Sequence, residues 1–552
     1  MKHNVYTADF ETNNFNDEKA NVWAWDLCNI NTLEHWTGTT LECFFNFLPK
    51  IKYKHSIIYF HNLKFDGTFI LLHLLKNNYK YVNTKASKLQ SLEFTCLIDN
   101  MKRFYSISFN LKGKIFEVRD SLKKIPLSVS AIAKAWSLPI LKGEIDYKAI
   151  REEGHILTDN EVEYIRHDTE IVARAIYDFY KQDMKNLTLS ADCMHVYKQI
   201  IGKEKFDSYF PVLPEKVDAY IRNALLGGIC YAKETNTILH DIKCYDVNSM
   251  YPSVMFNFPL PYGYPVHKKG KPILKKEEIA ILHIKLACEI KPNHFNCLMY
   301  SAHNLFAKNV FIESTEGEEL DIYITSFELE EIKKHYETSI TYIDAYVFKT
   351  SRNLFTDYVE KFYNEKKNAT GGARQLAKFK LNMLFGRFGL NPRRIQQIPF
   401  IGENGELKFL KGAETIEDSV YTAISVCITS YARCKKLIPA VQANWENFIY
   451  CDTDSMFLKD DAKEIEVDKS KLGAWDLEKT FKDIKIIGPK TYTGVLENGG
   501  KYTRICGAPD MIKKQIELGN FEEGREFYGK LQHKNVDGGV VLKETTFTLK
   551  AR

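Results

Sequence analysis

The chain has 552 residues, 45% hydrophobic and 27% charged, the make-up of an ordinary globular protein with room for several domains. Its 76 basic and 71 acidic residues nearly balance at +5, so bulk charge points to no partner. No run of eighteen apolar residues is present to span a membrane, the start MKHNVYTADFET lacks a secretory apolar segment, and twelve scattered cysteines without a CxxC pair read as buried thiols of a reducing compartment.

Up to about Tyr180, strand-like and helix-like stretches alternate, which predicts a βαβ-rich α/β unit. In VYTADFETN, Asp9 and Glu11 fall on one face of a strand. In FHNLKFDGTF, Asn62 and Asp66 stand four apart. VEYIRHDTEIVARAIYDFYKQ has helical spacing at Val162, Ile165, Thr169, Val172 and Ile176. Tyr164 and Asp168 share a face of that helix. Singly, each acid reads as a surface residue or a cap. Together, four carboxylates from three distant segments can build a site for two metal ions.

A second strand, ILHDIKCYDV, is predicted near residue 240 and ends at Asp246. The following NSMYPS must turn, placing Tyr251 beside that acid; alone, Tyr251 reads as a packed aromatic before a proline. From KPNHFNCLMY to AYVFKT, short strands surround one acidic helix, TSFELEEIKKHY. Between Lys361 and Arg394 lie nine Lys/Arg and a single acid, Glu365. That run is either a solvated helix face or a phosphate-binding surface. In RQLAKFKLNMLFGRFG, Arg374, Lys378 and Asn382 share one helical face, and Leu376, Phe379 and Met383 form a separate apolar stripe. ENGELKFL carries an Asn-Gly hairpin signal. YCDTDS sets Asp452 and Asp454 between two strand-like runs, on one side of the chain near a hairpin tip if extended. By itself the pair reads as an Asp-rich turn. Two such charges also raise each other's pKa, and a divalent cation such as Mg²⁺ removes that penalty. GGVVLKETTFTLK predicts a strand pair at the C-terminus.

In chain order the motifs are DxE, Nx₂FD, Yx₃D, DxxSxYP, KxxxN, YCDTDS and KxY, the last being Lys490 and Tyr492. With HNLKFDG, DSLKK, LKGEIDY, QLAK and GGVVL, they resemble the protein-primed family B DNA polymerases of the phi-twenty-nine phage type, essentially end to end. The resemblance implies a multidomain α/β and α+β fold. An RNase H-like 3′–5′ exonuclease domain would cover 1–185. A right-hand polymerase would comprise a palm (186–257 and 422–507), fingers (354–389) and a thumb (508–552). Two insertions are expected: 258–353, docking a terminal protein, and 390–421, giving processivity and strand displacement.

The same resemblance implies roles for single residues. Asp246, Val247 and Asp454 hold the polymerase metals, with Asp452 beside them. Tyr251 excludes a 2′-hydroxyl, and Lys366, Lys378, Asn382, Phe385 and Val247 bind the nucleotide. Lys490, Tyr492, Gly227 and Gly228 contact primer-template DNA. In the exonuclease, Asp9, Glu11, Asp66 and Asp168 hold metals, supported by Tyr164 and Lys142. Thr12, His61, Asn62 and Phe65 meet the single-stranded 3′ end, and Ser121 and Leu122 touch single-stranded DNA and terminal protein. Two Mg²⁺ per site are implied, with Mn²⁺ as a substitute. The implied partners are dNTPs, primer-template DNA, a terminal protein primer and a single-stranded DNA-binding protein. A monomer would act in the host bacterial cytoplasm, replicating a linear viral genome.

Two stretches depart from the family pattern. LLGG, Leu225 to Gly228, stands where the family has YxGG/A, and NMLFG replaces a tyrosine with Phe385. A polymerase primed only by RNA or DNA is the first rival, and the 390–421 insertion counts against it. A DNA-binding protein or nuclease with a dead polymerase site is the second, and the complete set of acids counts against that.

Overall fold

The computed structural model describes residues 4–13, 19–146, 149, 151, 154–300, 310–417 and 420–551. Tyr147 of LKGEIDY, and 301–309 and 418–419 within the two expected insertions, lie outside the described residues.

The N-terminal region is built on an eight-stranded sheet. Its order is His35–Gly38, Val22–Asn29, Val5–Thr12, His55–Phe60, Lys114–Asp120, Phe104–Leu111, Glu93–Ile98 and Lys80–Tyr81. Val5–Thr12 runs antiparallel to Val22–Asn29 and parallel to His55–Phe60. Seven of its eight residues are buried, because helix Asp159–Lys181 covers one face and Phe44, Phe60 and Phe69 pack on the other. The expected βαβ alternation is only partly present: Glu93–Ile98, Phe104–Leu111 and Lys114–Asp120 are a meander of antiparallel strands. Helix Asp159–Lys181 opens with a capping box in which Thr158 and Glu161 satisfy each other's backbone N–H groups. Of its predicted stripe, Ile165, Thr169, Val172 and Ile176 are buried and Val162 is half-buried.

A second sheet is wholly antiparallel and seven-stranded. Ile238–Val247 lies at its centre, flanked by Trp475–Gly488 and Ser455–Leu458. A four-stranded sheet follows in the chain, with Tyr336–Ser351 between Leu260–Lys269 and Glu278–Ile290. The predicted acidic helix, Ser326–His335, packs on it with Thr325 as its N-cap. Helices Thr356–Asn368 and Gly371–Phe388 pack on each other. Helix Ala423–Ala432 is buried at all ten positions and joins these parts.

Three local readings need correction. The apolar stripe on Gly371–Phe388 does not include Met383, which is 36% exposed; the buried positions are Gly372, Leu376, Ala377, Phe379, Lys380, Leu381, Leu384 and Phe388. Lys380 therefore leaves the solvated charge run: it lies over the Phe362 ring and bonds Gln182. The Asn-Gly of ENGE does lie in a hairpin, as its signal predicts. Arg393–Ile401 and Leu407–Ile416 pair, and the loop spans Gly402–Glu406, with Gly405 at φ +80°. GGVVLKETTFTLK is one strand, Gly539–Thr548, and its partner is Glu526–Val536.

That C-terminal hairpin closes a loop of structure. Val536, Val540 and Val541 enter the core of the N-terminal sheet, and so does Leu407 of the other hairpin. Asn535 donates to the Leu407 carbonyl at 2.8 Å, and Lys76 pairs with Asp537 at 2.6 Å. A Cβ on Gly539 would lie 2.0 Å from the Phe69 ring, so no larger residue can make this approach.

Candidate active sites

The first site forms where Ile238–Val247 meets the hairpin Phe448–Asp452/Ser455–Leu458. Asp246 lies opposite Ser455, and the Val247 N–H donates to the Asp454 carbonyl at 2.8 Å. The two acids do not alternate along one extended strand as expected. Asp452 ends its strand, while Thr453 (φ +62°) and Asp454 form the turn. Burial and the facing Asp454 push Asp246 up to about 7; burial and Asp452 push Asp454 up to about 6. Asp452 is the outer acid, paired with Lys490 at 2.8 Å.

The floor and flank of this site come from distant segments. After Val247 the chain turns sharply, with Ser249 at φ +51°, into helix Met250–Asn257. Tyr251 then stacks on Phe385 with centroids 4.3 Å apart, and Asp454 and Asp452 both push its hydroxyl pKa up after burial. Lys366 donates to Ser249 at 3.1 Å, and its pKa is lowered by burial and by neighbouring Lys378 and Arg374. Lys378 and Arg374, both exposed, thus stand close enough to Lys366 for the three charges to oppose one another. Asn382 is half-buried on the same helix. Tyr492 lies within 5.7 Å of the Tyr450 ring, beneath the acidic hairpin, and the Lys490 N–H bonds the Tyr450 hydroxyl at 2.9 Å.

Gly228 packs directly against this hairpin, whereas a side chain at Gly227 would meet open space. A Cβ on Gly228 would lie 2.6 Å from the Thr453 hydroxyl, and the Thr453 N–H donates to the Ile229 carbonyl at 2.7 Å. Arg433, which no motif flagged, donates to the Leu226 and Gly227 carbonyls at 2.7 Å each. It also makes a buried bidentate pair with Glu328, at 2.7 and 2.8 Å. Asp476 sits across the sheet from Asp246 and was also missed. The alternation in WDLEK, Asp476 then Glu478, was its available signal.

The second site lies in the N-terminal sheet. Strand Val5–Thr12 supplies Asp9 and Glu11, Asp66 opens helix Asp66–Lys76, and helix Asp159–Lys181 supplies Tyr164 and Asp168. Lys142 pairs with Asp168 and lies 5.4 Å from the Tyr164 ring centroid. Burial and Asp168 push Asp9 up to about 7, burial and Asp9 push Glu11 and Asp66 well up, and burial raises Asp168 against the pull of Lys142. Among the described residues no group of three or more His, Cys, Asp or Glu side chains is arranged to hold a metal ion. Yet one oxygen each of Asp66 and Asp168 is buried with no hydrogen-bond partner, so both accept a further ligand. Buried anionic oxygens of this kind suit Mg²⁺ or Mn²⁺.

His61 and Ser121, expected to meet single-stranded DNA, bond each other in the structure. His61 pairs through Nδ1 with the Ser121 hydroxyl at 2.9 Å and through Nε2 with the Leu127 carbonyl at 2.8 Å. Their polar atoms brace the loop. Asn62, at φ +69°, donates its backbone N–H to Asp120 Oδ1 at 3.1 Å, Phe65 meets His533 of the C-terminal hairpin, Thr12 is buried, and Leu122 is half-buried.

The family model described as DNA polymerase type B, organellar and viral, matches residues 48–161 and 152–471. The DNA polymerase of Bacillus phage phi29 is 36% identical over the whole length of both chains. The chain is a type B DNA polymerase of the phi29 kind. The DNA polymerase of Streptococcus phage Cp-1 is 31% identical over 99% of this type B polymerase and 98% of the relative. Phi29 DNA polymerase solved with primer-template DNA and incoming nucleotide substrates superposes with a TM-score of 0.91, covering 99% of this polymerase and all of that chain, at 34% identity. With single-stranded DNA bound, the phi29 enzyme gives 0.92 at 33% identity over the same extents. No described helix of this polymerase is long and apolar enough to cross a membrane.

Proposed function

We propose that this type B polymerase extends a 3′ end at the Asp246/Asp454 site and degrades single-stranded 3′ ends at the Asp9/Glu11/Asp66/Asp168 site. The observation that carries this reading is two separate carboxylate clusters, each with raised pKa values, built on different sheets and each with its own lysine, Lys490 at the first and Lys142 at the second. Divalent ions held by these acids would supply activated 3′-hydroxyl or water and charge relief on the leaving group. Everything else falls to this chain's own side chains. Lys366, Lys378 and Arg374 draw the triphosphate. Tyr251, braced by Phe385, fills the volume of a 2′-hydroxyl. Lys490 and Tyr492 hold the primer end beside Asp452. In the second site Lys142 orients Asp168 and carries positive charge toward the phosphate under attack.

The regions follow the same reading: exonuclease 1–185, palm 186–257 and 422–507, fingers 354–389, thumb 508–552, and insertions 258–353 and 390–421. The contact of the C-terminal hairpin with both Leu407 and the N-terminal sheet supports an encircling element for processivity and strand displacement. A terminal protein would be the primer and dock on 258–353, with a single-stranded DNA-binding protein as a further partner in the host cytoplasm. The test is a primed single-stranded circle, Mg²⁺ and dNTPs without accessory proteins. Products many times the circle length are expected, and deleting 394–417 should shorten them while short extension survives. Products that stop at one circle length would refute strand displacement. Terminal protein with one labelled dNTP and no DNA primer should yield a covalent adduct; none forming while primed extension works would remove protein priming alone.

A further inference from the structure

Asp26 belongs to none of these motifs. Its strand pairs with Val5–Thr12 so that Asp26 stands directly opposite Asp9. Opposite residues of an antiparallel pair present their side chains on one face. Asp26 is 0% exposed. A buried carboxylate needs donors, and three converge on it: the hydroxyls of Thr169 at 2.6 Å and Thr37 at 2.8 Å, and His35 Nδ1 at 2.8 Å. Arg166 approaches to 3.9 Å and donates to Thr37 at 3.1 Å.

Thr169 follows Asp168 in the helix. Its hydroxyl is held by Asp26, and its carbonyl accepts from the Thr7 hydroxyl at 2.8 Å. The turn that carries Asp168 is therefore fastened to both strands beneath it: to Val22–Asn29 through Asp26 and to Val5–Thr12 through Thr7. Apolar packing alone would let the helix slide or rotate by small amounts; hydrogen bonds to a buried carboxylate fix direction as well as distance.

We propose that Asp26 is a positioning residue of the degradative site, acting through Thr169 to hold Asp168 and Tyr164 in register with Asp9 and Glu11. This rests on the exonuclease reading above. Asp26 touches no substrate. Its part is the placement of the helix turn opposite the strand, and residues that orient metal-holding carboxylates typically affect activity about 10- to 100-fold.

The test uses the full chain. Thr169→Val removes the hydroxyl at nearly constant volume, Thr169→Ser keeps it, and Asp26→Asn keeps an acceptor oxygen for it. Single-turnover degradation of a single-stranded oligonucleotide is measured across Mg²⁺ concentrations, with primer extension and amide hydrogen exchange over 162–172 on the same preparations. For Thr169→Val we expect degradation about 10- to 100-fold slower, a higher half-saturating Mg²⁺, an unchanged KM for DNA, unchanged extension and faster exchange over the helix turn. Thr169→Ser should restore all of these, and Asp26→Asn should lie between. Parental degradation by Thr169→Val, or a loss with unchanged Mg²⁺ half-saturation, overturns the proposal, because lost folded protein lowers amplitude only. An Asp9→Ala/Glu11→Ala control separates the two readings. If it degrades at the parental rate, the exonuclease reading fails; if it is inactive while Thr169→Val is normal, only the positioning role fails.

Discussion

The two acidic sites solve one electrostatic problem differently. In the N-terminal sheet, Glu11, Asp66 and Asp168 are only 8%, 3% and 4% exposed, and a lysine from a separate segment, Lys142, sits among them. In the antiparallel sheet, Asp246 and Asp454 are half-exposed, and the lysine, Lys490, pairs with the outer acid Asp452. On the proposed reading, the first arrangement would enclose a single strand end. The second opens toward the basic face of Gly371–Phe388, which suits a triphosphate that must come and go. Enclosure concentrates like charge, whereas openness leaves room for the substrate's own phosphates to complete the site.

If enclosure matters, neutralising a buried acid should cost more than neutralising the outer one. Asp66→Asn should slow degradation by about 10²- to 10³-fold, because nothing else reaches the oxygen it leaves. Asp452→Asn should slow extension far less, since Lys490 already holds that carboxylate. Equal losses in paired single-turnover assays would erase the distinction.

The open site should also be the one that selects sugars. Tyr251→Val should raise ribonucleotide incorporation by about 10- to 100-fold and Tyr251→Phe should leave it unchanged, because the ring against Phe385 does the excluding. Competition between dNTP and rNTP on a primed template measures this, and equal discrimination by wild type and Tyr251→Val would remove the role.

The open site rests on a remote anchor of its own, the buried Arg433–Glu328 pair. Glu328→Gln breaks the buried pair with Arg433 and should destabilise the fold by about 3–5 kcal/mol in denaturant titration. Extension should fall with the loosened Leu226–Gly228 segment, and degradation measured on folded protein should not.

The smallest effect is on stability without metal. A carboxyl raised above its unfolded value stabilises the fold below the unfolded pKa and loses that contribution as pH rises through the folded one. Asp9 and Asp246 at about 7 and Asp454 at about 6 therefore predict falling stability in chelator from roughly pH 4 to 7. Asp454→Asn should melt above the parent at about pH 8 and without advantage near pH 4. Identical melting curves at the higher pH would show that the charges do not repel in the folded protein.

Much of both sites was legible because acid spacing survives folding. DxE on a strand and Yx₃D on a helix each put two side chains on one face whatever the tertiary context. The turn at Thr453 was hidden, because alternation assumes an extended strand and a two-residue hairpin turn breaks it. Lys380 was hidden because a charged residue in a basic run reads as solvated until Gln182 and Phe362 close over it. Arg433, Glu328 and Asp26 gave no motif at all. Each matters through a partner far away in the chain, and single-sequence spacing carries no such information.

The independence of the two sites is tested most directly on one primed DNA with a single-stranded 3′ overhang, following degradation without dNTPs and extension with them. Asp454→Asn should degrade at the parental rate and fail to extend, and Asp9→Ala with Glu11→Ala should do the reverse. Loss of both activities in either variant would contradict two separate sites and point to a single shared centre.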